Sequence, residues 1–474
     1  MRKHRTLSLI CLLLLVSLLS SCSTLESLLH QHDYHYEYTQ ETHWKVCPEC
    51  GEKTSEEPHS LTLKETVDAS CDHAGYTTYE CRVCGFSRTD MVSPLAHQFE
   101  VIAGSDKRVC SVCGREESAL AELPESERYG YRYLASLENG QTYLRVYLRI
   151  SAAIGSRQDS VTIDETISKE ELAAIFHCCV TDHPEYFWAG TDYHYSYTPS
   201  GLIKEVQLAN LISEDDLESA KTAFNNAANE ILTGISSSMS NMEKELYLHD
   251  AIVKHAVYDE TYKAPLTHSA YGNLVLGTSV CDGYTKLLQY LLCRCGILAT
   301  TLSGYSGENH SWNVVYLGGE WYMVDPTWDD PVGQEAGKST HTYFNCTWAT
   351  FSQDHSFVQP NGKAIENYFT IPECTATKYN YFTYFDYEGD LSLGTIDRAV
   401  RAQVARGATN DFEIRFSGHG SAAEERGENI SSFVRREANQ LYSILASALR
   451  KSQFSINLSF SVSKDGTILK ISVD

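Results

Sequence analysis

The sequence is short of basic side chains. Its 474 residues carry 38 lysines and arginines against 62 aspartates and glutamates, so the formal net charge is −24 at pH 7. A protein of this charge repels nucleic-acid phosphates and anionic membrane surfaces. The composition therefore excludes nucleic-acid binding through the overall electrostatic field, and association with a membrane requires a separate anchor.

The amino-terminal apolar run, residues 7–19, is too short to span a bilayer comfortably, since a span takes about 20 residues. Three Lys and Arg side chains precede it, as in an export signal. Residues 19–22, Leu-Ser-Ser-Cys, resemble a bacterial lipobox, which implies cleavage before Cys22 and lipid on its sulfur and amine. An ordinary signal peptide cut nearby is the alternative. We expect a signal peptide at 1–21, a tether at 22–31, and an exported protein anchored to the outer face of the cell membrane.

Residues 32–117 contain few apolar side chains, so this segment needs a staple to fold. Three Cys-x-x-Cys-Gly knuckles recur in it at intervals of roughly 30 residues and resemble the small Cys/His repeats of bacterial surface proteins. Each knuckle presents two sulfurs to one metal ion, with glycine allowing the tight turn. The segment is therefore predicted to be held together by structural zinc.

Proximity in the sequence groups the candidate ligands into two complete sites and one remaining pair. The groups are His43, Cys47, Cys50 and His59; Cys71, Cys81, Cys84 and His97; and Cys110 with Cys113, which need a ligand from elsewhere. Disulfides are the alternative, because exported proteins form them. A Cys-x-x-Cys pair closed on itself is strained, however, and seven cysteines cannot all pair internally.

The clearest chemical pattern lies at residues 278–331. Thr278 or Ser279 can cap a helix whose first turn contains Cys281. Leucines follow at helical spacing, and Gly296 can end the helix in a left-handed conformation. A cysteine in the first turn lies at the positive end of the helix dipole, which favours the reactive thiolate.

The second half of this stretch predicts a β-hairpin, because Gly318-Gly319 separates two β-rich runs. With that turn, residues whose numbers sum to 637 face each other, so Trp312 pairs with Asp325 and His310 lies one diagonal away. The β-carbons of His310 and Asp325 are then roughly 7 Å or less apart on one face. A carboxylate that orients an imidazole is the arrangement that nucleophilic catalysis needs.

Cys-Asp-Gly-Tyr, Asn-His-Ser-Trp-Asn-Val-Val and Trp-Tyr-Met-Val-Asp-Pro-Thr-Trp-Asp-Asp-Pro occur in this order and resemble the transglutaminase-like superfamily over roughly residues 239–356. Members use Cys, His and Asp in the same chain order on a papain-like core. The resemblance implies Cys281 as the nucleophile, His310 as the base and acid, and Asp325 as the orienting carboxylate.

The residue that would stabilise an oxyanion is left open. The backbone N–H of Cys281, Ser269 and Tyr271 are candidates, and His268 is a minor alternative to the predicted base. A cysteine in a helix is more often a small core residue, which is the interpretation given to Cys293 and Cys295. Three such residues in the expected order favour a catalytic triad instead.

The fold class predicted is α+β. A papain-like, transglutaminase-like core is expected at 239–372, preceded by an α/β domain at 118–238 and by the metal-stapled segment. Residues 375–474 contain no cysteine and indicate a small C-terminal α+β domain.

These predictions describe a lipid-anchored thiol enzyme of the cell envelope. It would act on peptide or glutamine-type amides of a protein or peptide substrate through a thioester, without a catalytic cofactor. Hydrolysis is favoured over cross-linking because water is in vast excess. The alternative is an inactive transglutaminase-like module that binds or scaffolds at the cell surface.

Overall fold

The computed structural model describes residues 31–71, 74–92, 99–101, 107–118, 122–199, 201–236, 238–330, 339–416, 429–451, 457–463 and 465–473. The predicted signal peptide, Cys22 and His97 lie outside these ranges. Helices and sheets are mixed, and the α+β class with a transglutaminase-like core is confirmed. Within the described ranges, no helix is long and apolar enough to cross a membrane.

The chain forms two compact units, one from residues up to 100 with 110–115, the other from 101–109 and 116–474. The first contains two antiparallel three-stranded sheets, β1-β2-β3 and β4-β5-β6. The knuckle glycines Gly51, Gly85 and Gly114 have φ of +75°, +75° and +74°, the left-handed conformation that the tight turn requires. The strands are β1 (His35–Tyr38), β2 (Thr42–Val46), β3 (Glu57–Pro58), β4 (Leu61–Val67), β5 (Gly75–Cys81) and β6 (Ser87–Val92), followed by β7 (Phe99–Val101), β8 (Lys107–Cys110) and β9 (Glu116–Ser118).

After β9, the second unit continues with helices and a hairpin. Ser168 and Glu171 form a capping box with both reciprocal hydrogen bonds. The elements are α1 (Tyr129–Ser136), α2 (Gly140–Gly155), β10 (Ser160–Thr162), α3 (Lys169–Asp182), β11 (Ala189–Tyr197), β12 (Ile203–Asn210) and α4 (Glu214–Leu232).

The core of the second unit packs helices against a three-stranded antiparallel sheet, β15-β16-β17. Its hairpin has the predicted register, because Asn313 pairs with Val324 and Leu317 with Glu320 around Gly318-Gly319. Its elements are α5 (Asn241–His255), β13 (Val257–Tyr258), α6 (Ala270–Leu274), β14 (Thr278–Ser279), α7 (Cys281–Arg294), β15 (Ala299–Tyr305), β16 (Asn309–Leu317) and β17 (Glu320–Val324).

The predicted cap of α7 is wrong. Val280 occupies the N-cap position and supplies no side-chain hydrogen bond. Thr278 and Ser279 instead form β14, which pairs in parallel with β13. The end of the helix is as predicted, since Gly296 follows it with a φ of +72°.

Two hydrophobic clusters join the segment before residue 238 to the segment after it. One cluster contains Phe187, Phe224 and Leu287, and the other contains Tyr147, Leu302 and Trp312. Cys293 and Cys295 are buried, as predicted. The catalytic sheet and α7 are therefore supported by residues from both segments.

A third cluster forms the core of residues 382–473, where α10 and α12 cover the sheet β18-β19-β21-β20. The helical stretch from Ile430 to Leu449 is interrupted at Glu437. The remaining elements are α8 (Trp348–Phe351), α9 (Tyr381–Tyr384), β18 (Glu388–Gly389), α10 (Leu393–Ala405), β19 (Asp411–Phe416), α11 (Ile430–Arg436), α12 (Ala438–Leu449), β20 (Leu458–Val462) and β21 (Ile468–Val473).

Candidate active site

The ends of three elements meet at the site. Cys281 is the first residue of α7, His310 is the second residue of β16, and Asp325 directly follows β17. The hairpin register brings His310 Nε2 to 2.7 Å from Asp325 Oδ2, and Cys281 lies close enough to raise the pKa of the imidazole. All three predicted residues are therefore brought together.

The electrostatics favour a protonated His310. Burial lowers the pKa of the imidazole, but the charge and hydrogen bond of Asp325 and the contact with Cys281 outweigh burial and raise it to about 10. Burial also raises the pKa of Asp325, but the charge of His310 dominates, so this pKa lies well below its ordinary range. The pair is thus suited to hold His310 as an imidazolium at neutral pH.

Asp325 is fixed by more than His310. Its Oδ1 accepts hydrogen bonds from the backbone N–H groups of Thr327 and Trp328, at 3.0 and 3.1 Å. Because the carboxylate is fully buried, these donors replace the water it would otherwise bind. Asp325 can therefore orient the imidazole without rotating away.

A second histidine, which the sequence did not reveal, also binds Asp325. His355 Nε2 lies 3.0 Å from Asp325 Oδ2, and its Nδ1 lies 2.7 Å from Asp354 Oδ1. Tyr343 in turn donates to Asp354 at 2.6 Å. Burial lowers the pKa of His355, but these two carboxylates raise it above its ordinary value. The catalytic carboxylate is thus shared by two buried imidazoles.

Two of the three oxyanion candidates also have roles in the fold. Ser269 caps the short helix α6, accepting from the N–H of Gly272 and donating to Leu266 O at 2.6 Å. Tyr271 stacks on Phe187 at 4.7 Å between ring centroids and belongs to the core. The remaining candidate is the N–H of Cys281, at a helix end with no side-chain cap.

His268, the alternative base, is paired with a different partner. Its Nδ1 lies 3.2 Å from Asp282 Oδ2, whereas Cys281 raises the pKa of His310. His310 is therefore the imidazole associated with Cys281.

The predicted grouping of metal ligands is wrong, because ligands combine across repeats rather than within them. His43 and His59 lie with Cys81 and Cys84, while Cys47 and Cys50 lie with His32. Cys71 lies with Cys110 and Cys113 instead of with the second knuckle.

The four-ligand group is suited to zinc. Its donor atoms all lie within 4.8 Å of one another, and Cys84 Sγ is 3.3 Å from His59 Nδ1. His43 Nδ1 is buried and has no hydrogen-bond partner among the described residues. Two thiolates and two imidazoles form a common tetrahedral zinc set. The described cysteines form no disulfide, and the Sγ atoms of Cys71 and Cys110 are 3.7 Å apart.

Residues 226–326 match the family model for the transglutaminase-like superfamily. Two curated proteins are similar to parts of the chain. The kyphoscoliosis peptidase of Mus musculus is 28% identical over 189 residues, covering 35% of this chain and 29% of its own. The kyphoscoliosis peptidase of Homo sapiens is 36% identical over 93 residues, covering 16% of this chain and 14% of its own. The chain thus spans less than a third of either relative.

Two solved structures are similar to parts of this chain, with low overall structural similarity. An inferred cysteine protease from Cytophaga hutchinsonii has a TM-score of 0.19 and 18% identity, over 29% of this chain and 61% of its own. A transglutaminase has a TM-score of 0.22 and 11% identity, over 42% of this chain and 57% of its own.

Proposed function

We propose that the protein is an exported cysteine enzyme that hydrolyses peptide or glutamine-type amide bonds through a thioester. The observation that carries this proposal is the buried hydrogen bond between His310 and Asp325, with Cys281 close enough to raise the pKa of the imidazole. The match to the transglutaminase-like model and the peptidase names of the curated relatives support it.

In the first half-reaction, the sulfur of Cys281 attacks the amide carbonyl carbon and a C–S bond forms. The oxyanion accepts a hydrogen bond from the N–H of Cys281. The ring nitrogen of His310 that does not face Asp325, Nδ1, gives its proton to the departing nitrogen. The C–N bond then breaks, the amine leaves, and an acyl thioester remains.

In the second half-reaction, His310 takes a proton from water as the oxygen attacks the thioester. A C–O bond forms, the C–S bond breaks, and Cys281 is released. An amine in place of water would give a cross-link instead. Water is favoured because it is present at far higher concentration.

The proposal is tested by incubating the full mature protein with a defined peptide mixture in H₂¹⁸O. We expect product peptides whose new carboxylate carries one ¹⁸O atom. These products should not form with Cys281→Ala. Products joined to an added amine would indicate transamidation. Absence of any Cys281-dependent product would favour the inactive binding module.

We further propose that Cys22 carries lipid and that the knuckle segment binds structural zinc. The lipobox-like residues 19–22 support the first part. The zinc proposal is tested by metal analysis of His43→Gln and His59→Gln, with the exposed His35→Gln of the same unit as the matched control. We expect loss of about one zinc per chain in the first two variants and none in the control. Equal metal content in all three would contradict zinc at this site.

A further inference from the structure

A cleft of about 480 Å³ opens directly onto His310. Its other lining residues are mainly of two kinds, aromatic and acidic: Tyr258, Tyr262 and Trp328, and Glu260, Glu308 and Asp330. No lysine or arginine is among the described residues that line it. The cleft is thus negatively charged next to the reacting groups.

The aromatic and acidic side chains of the cleft hold one another in place. Tyr262 donates a hydrogen bond to Glu308 Oε1 at 3.2 Å, and Tyr284 donates to Asp330 Oδ2 at 2.6 Å. Tyr262 has a φ of +53°, a left-handed conformation that costs energy for a bulky residue. The ring is therefore held at the cleft by its surroundings rather than by its own backbone preference.

The carboxylates of the cleft have no cationic partner. Neither Glu260, Glu308 nor Asp330 forms a salt bridge within the described parts of the chain. Glu260 and Glu308 are exposed, while Asp330 is half-buried. Elsewhere in the chain, carboxylates do find cations, as Glu185 does with Arg128. The cleft thus retains an uncompensated charge at the active site.

Thr327 gives a second and independent indication that the cleft binds a ligand. It lines the same cleft, its residue is only 7% exposed, and its hydroxyl has no hydrogen-bond partner among the described residues. A buried hydroxyl without a partner is costly. A ligand polar group entering the cleft would offer it one.

We infer that this cleft binds a cationic side chain, lysine or arginine, of the peptide substrate. The aromatic rings receive the aliphatic stem and face the cation, and Glu260, Glu308 and Asp330 neutralise it. This inference rests on the proposed function, because the bound residue must present its neighbouring carbonyl to Cys281. It deepens that proposal by naming the substrate class.

The test compares two alkylating probes on the full mature protein, chloroacetyl-L-lysinamide and chloroacetyl-L-norleucinamide. Norleucine has the length of lysine without its ammonium group. In either reaction the Cys281 sulfur displaces chloride, an S–C bond forms, and chloride leaves with the bonding electrons. Peptide mass spectrometry measures the alkylation rate of Cys281 separately from that of the other cysteines.

We expect the lysine probe to react about tenfold faster and to show saturation, because it binds before it reacts. Glu308→Gln and Asp330→Asn should lose most of this preference. Glu320→Gln is the matched control, since Glu320 is exposed at the turn end of the same hairpin and changes the net charge equally. Salt near 1 M should reduce the preference, because it shortens the screening length to about 3 Å.

Equal and rapid reaction of both probes would overturn the cationic specificity and leave the thiol enzyme standing. If Glu320→Gln lowers the preference for the lysine probe as much as Glu308→Gln does, the preference comes from the overall negative charge of the protein. That result would also overturn the inference. Failure of both probes to label Cys281 would contradict the proposed function itself.

Discussion

At the residue scale, the sharing of Asp325 between two histidines has a consequence for pH dependence. His355 is held between Asp325 and Asp354, whose hydrogen bonds raise its pKa against the effect of burial. A proton on His355 would oppose the imidazolium of His310, whose ring centroid is 5.7 Å away. The other rings packed on His355 are Trp312, Trp328, Tyr343 and Phe351, which bring no charge of their own at neutral pH. A charged His355 would thus lower the pH up to which His310 keeps its proton.

We predict that His355→Gln extends the thiolate–imidazolium pair to higher pH. Glutamine can still donate a hydrogen bond to Asp325 but cannot carry the positive charge of a protonated histidine. His310 should therefore keep its proton to a higher pH. The upper inflection of the pH profile for alkylation of Cys281 should rise by about one pH unit. The exposed His194→Gln is the control and should leave the profile unchanged. An inflection that does not move, or that moves down, would show that His355 is not coupled to His310.

The sequence predicts the positions of site residues that lie in a regular hairpin, but not of site residues that lie in loops. His310 and Asp325 were predictable because a two-residue glycine turn fixes the register of the hairpin. His355 follows Asp325 by 30 residues in a loop without periodicity, so nothing in the sequence placed it against the carboxylate. Ser269, a candidate for the oxyanion role, caps a helix, which is another common role of serine.

At the element scale, the sheet beneath His310 depends on the absence of a side chain at Gly304. Gly304 pairs with His310 across β15 and β16. A β-carbon there would lie 1.8 Å from Trp312 Cη2 and 2.8 Å from Ser356 O. Trp312 packs against both His310 and His355, at 6.1 and 5.1 Å between ring centroids. The close approach of strand and ring therefore supports the position of both histidines.

We predict that Gly304→Ala lowers the free energy of unfolding by about 1–3 kcal/mol, because the indole must move in a packed core. It should also slow alkylation of Cys281, since His310 loses its support. Gly394→Ala is the control, because the nearest atom to its added β-carbon is 3.7 Å away. Urea unfolding measures the first effect. Unchanged stability of Gly304→Ala would contradict the packing described.

Helices and hairpins could be predicted where capping residues and turn residues flank a periodic hydrophobic pattern. The grouping of the metal ligands could not, because each group combines residues from different repeats. The capping box at Ser168 and the hairpin around Gly318-Gly319 are fixed by local interactions. The metal ligands were grouped by proximity in the sequence, but antiparallel strands bring His43 and His59 to the second knuckle. Local spacing does not contain that information.

At the scale of the whole second unit, a buried histidine connects the catalytic core to the C-terminal sheet. His341 Nε2 lies 2.9 Å from Asp250 Oδ1 on α5, and its Nδ1 lies 2.7 Å from Glu413 Oε2 on β19. Burial lowers the pKa of His341, but the charge of Asp250 and both hydrogen bonds raise it to about 10. The charged form is therefore bound more strongly in the folded protein than in the unfolded one.

This link predicts a loss of stability in alkali. A histidine with a raised folded-state pKa stabilises fully below its unfolded value of about 6.5, and the stabilisation disappears as pH rises towards 10. The melting temperature of the wild type should fall more between pH 7 and pH 10 than that of His341→Gln. The exposed His255→Gln should behave like the wild type. Parallel curves for the wild type and His341→Gln would contradict the link.

The central claim is that Cys281 is a reactive thiolate held by His310. The most direct measurement is the pH profile of iodoacetamide alkylation at Cys281 in the full mature protein, followed by peptide mass spectrometry. The account predicts rapid reaction below pH 7 and its loss in His310→Ala. Reaction that appears only near the ordinary thiol value of about 8.5, or an inert Cys281, would contradict it.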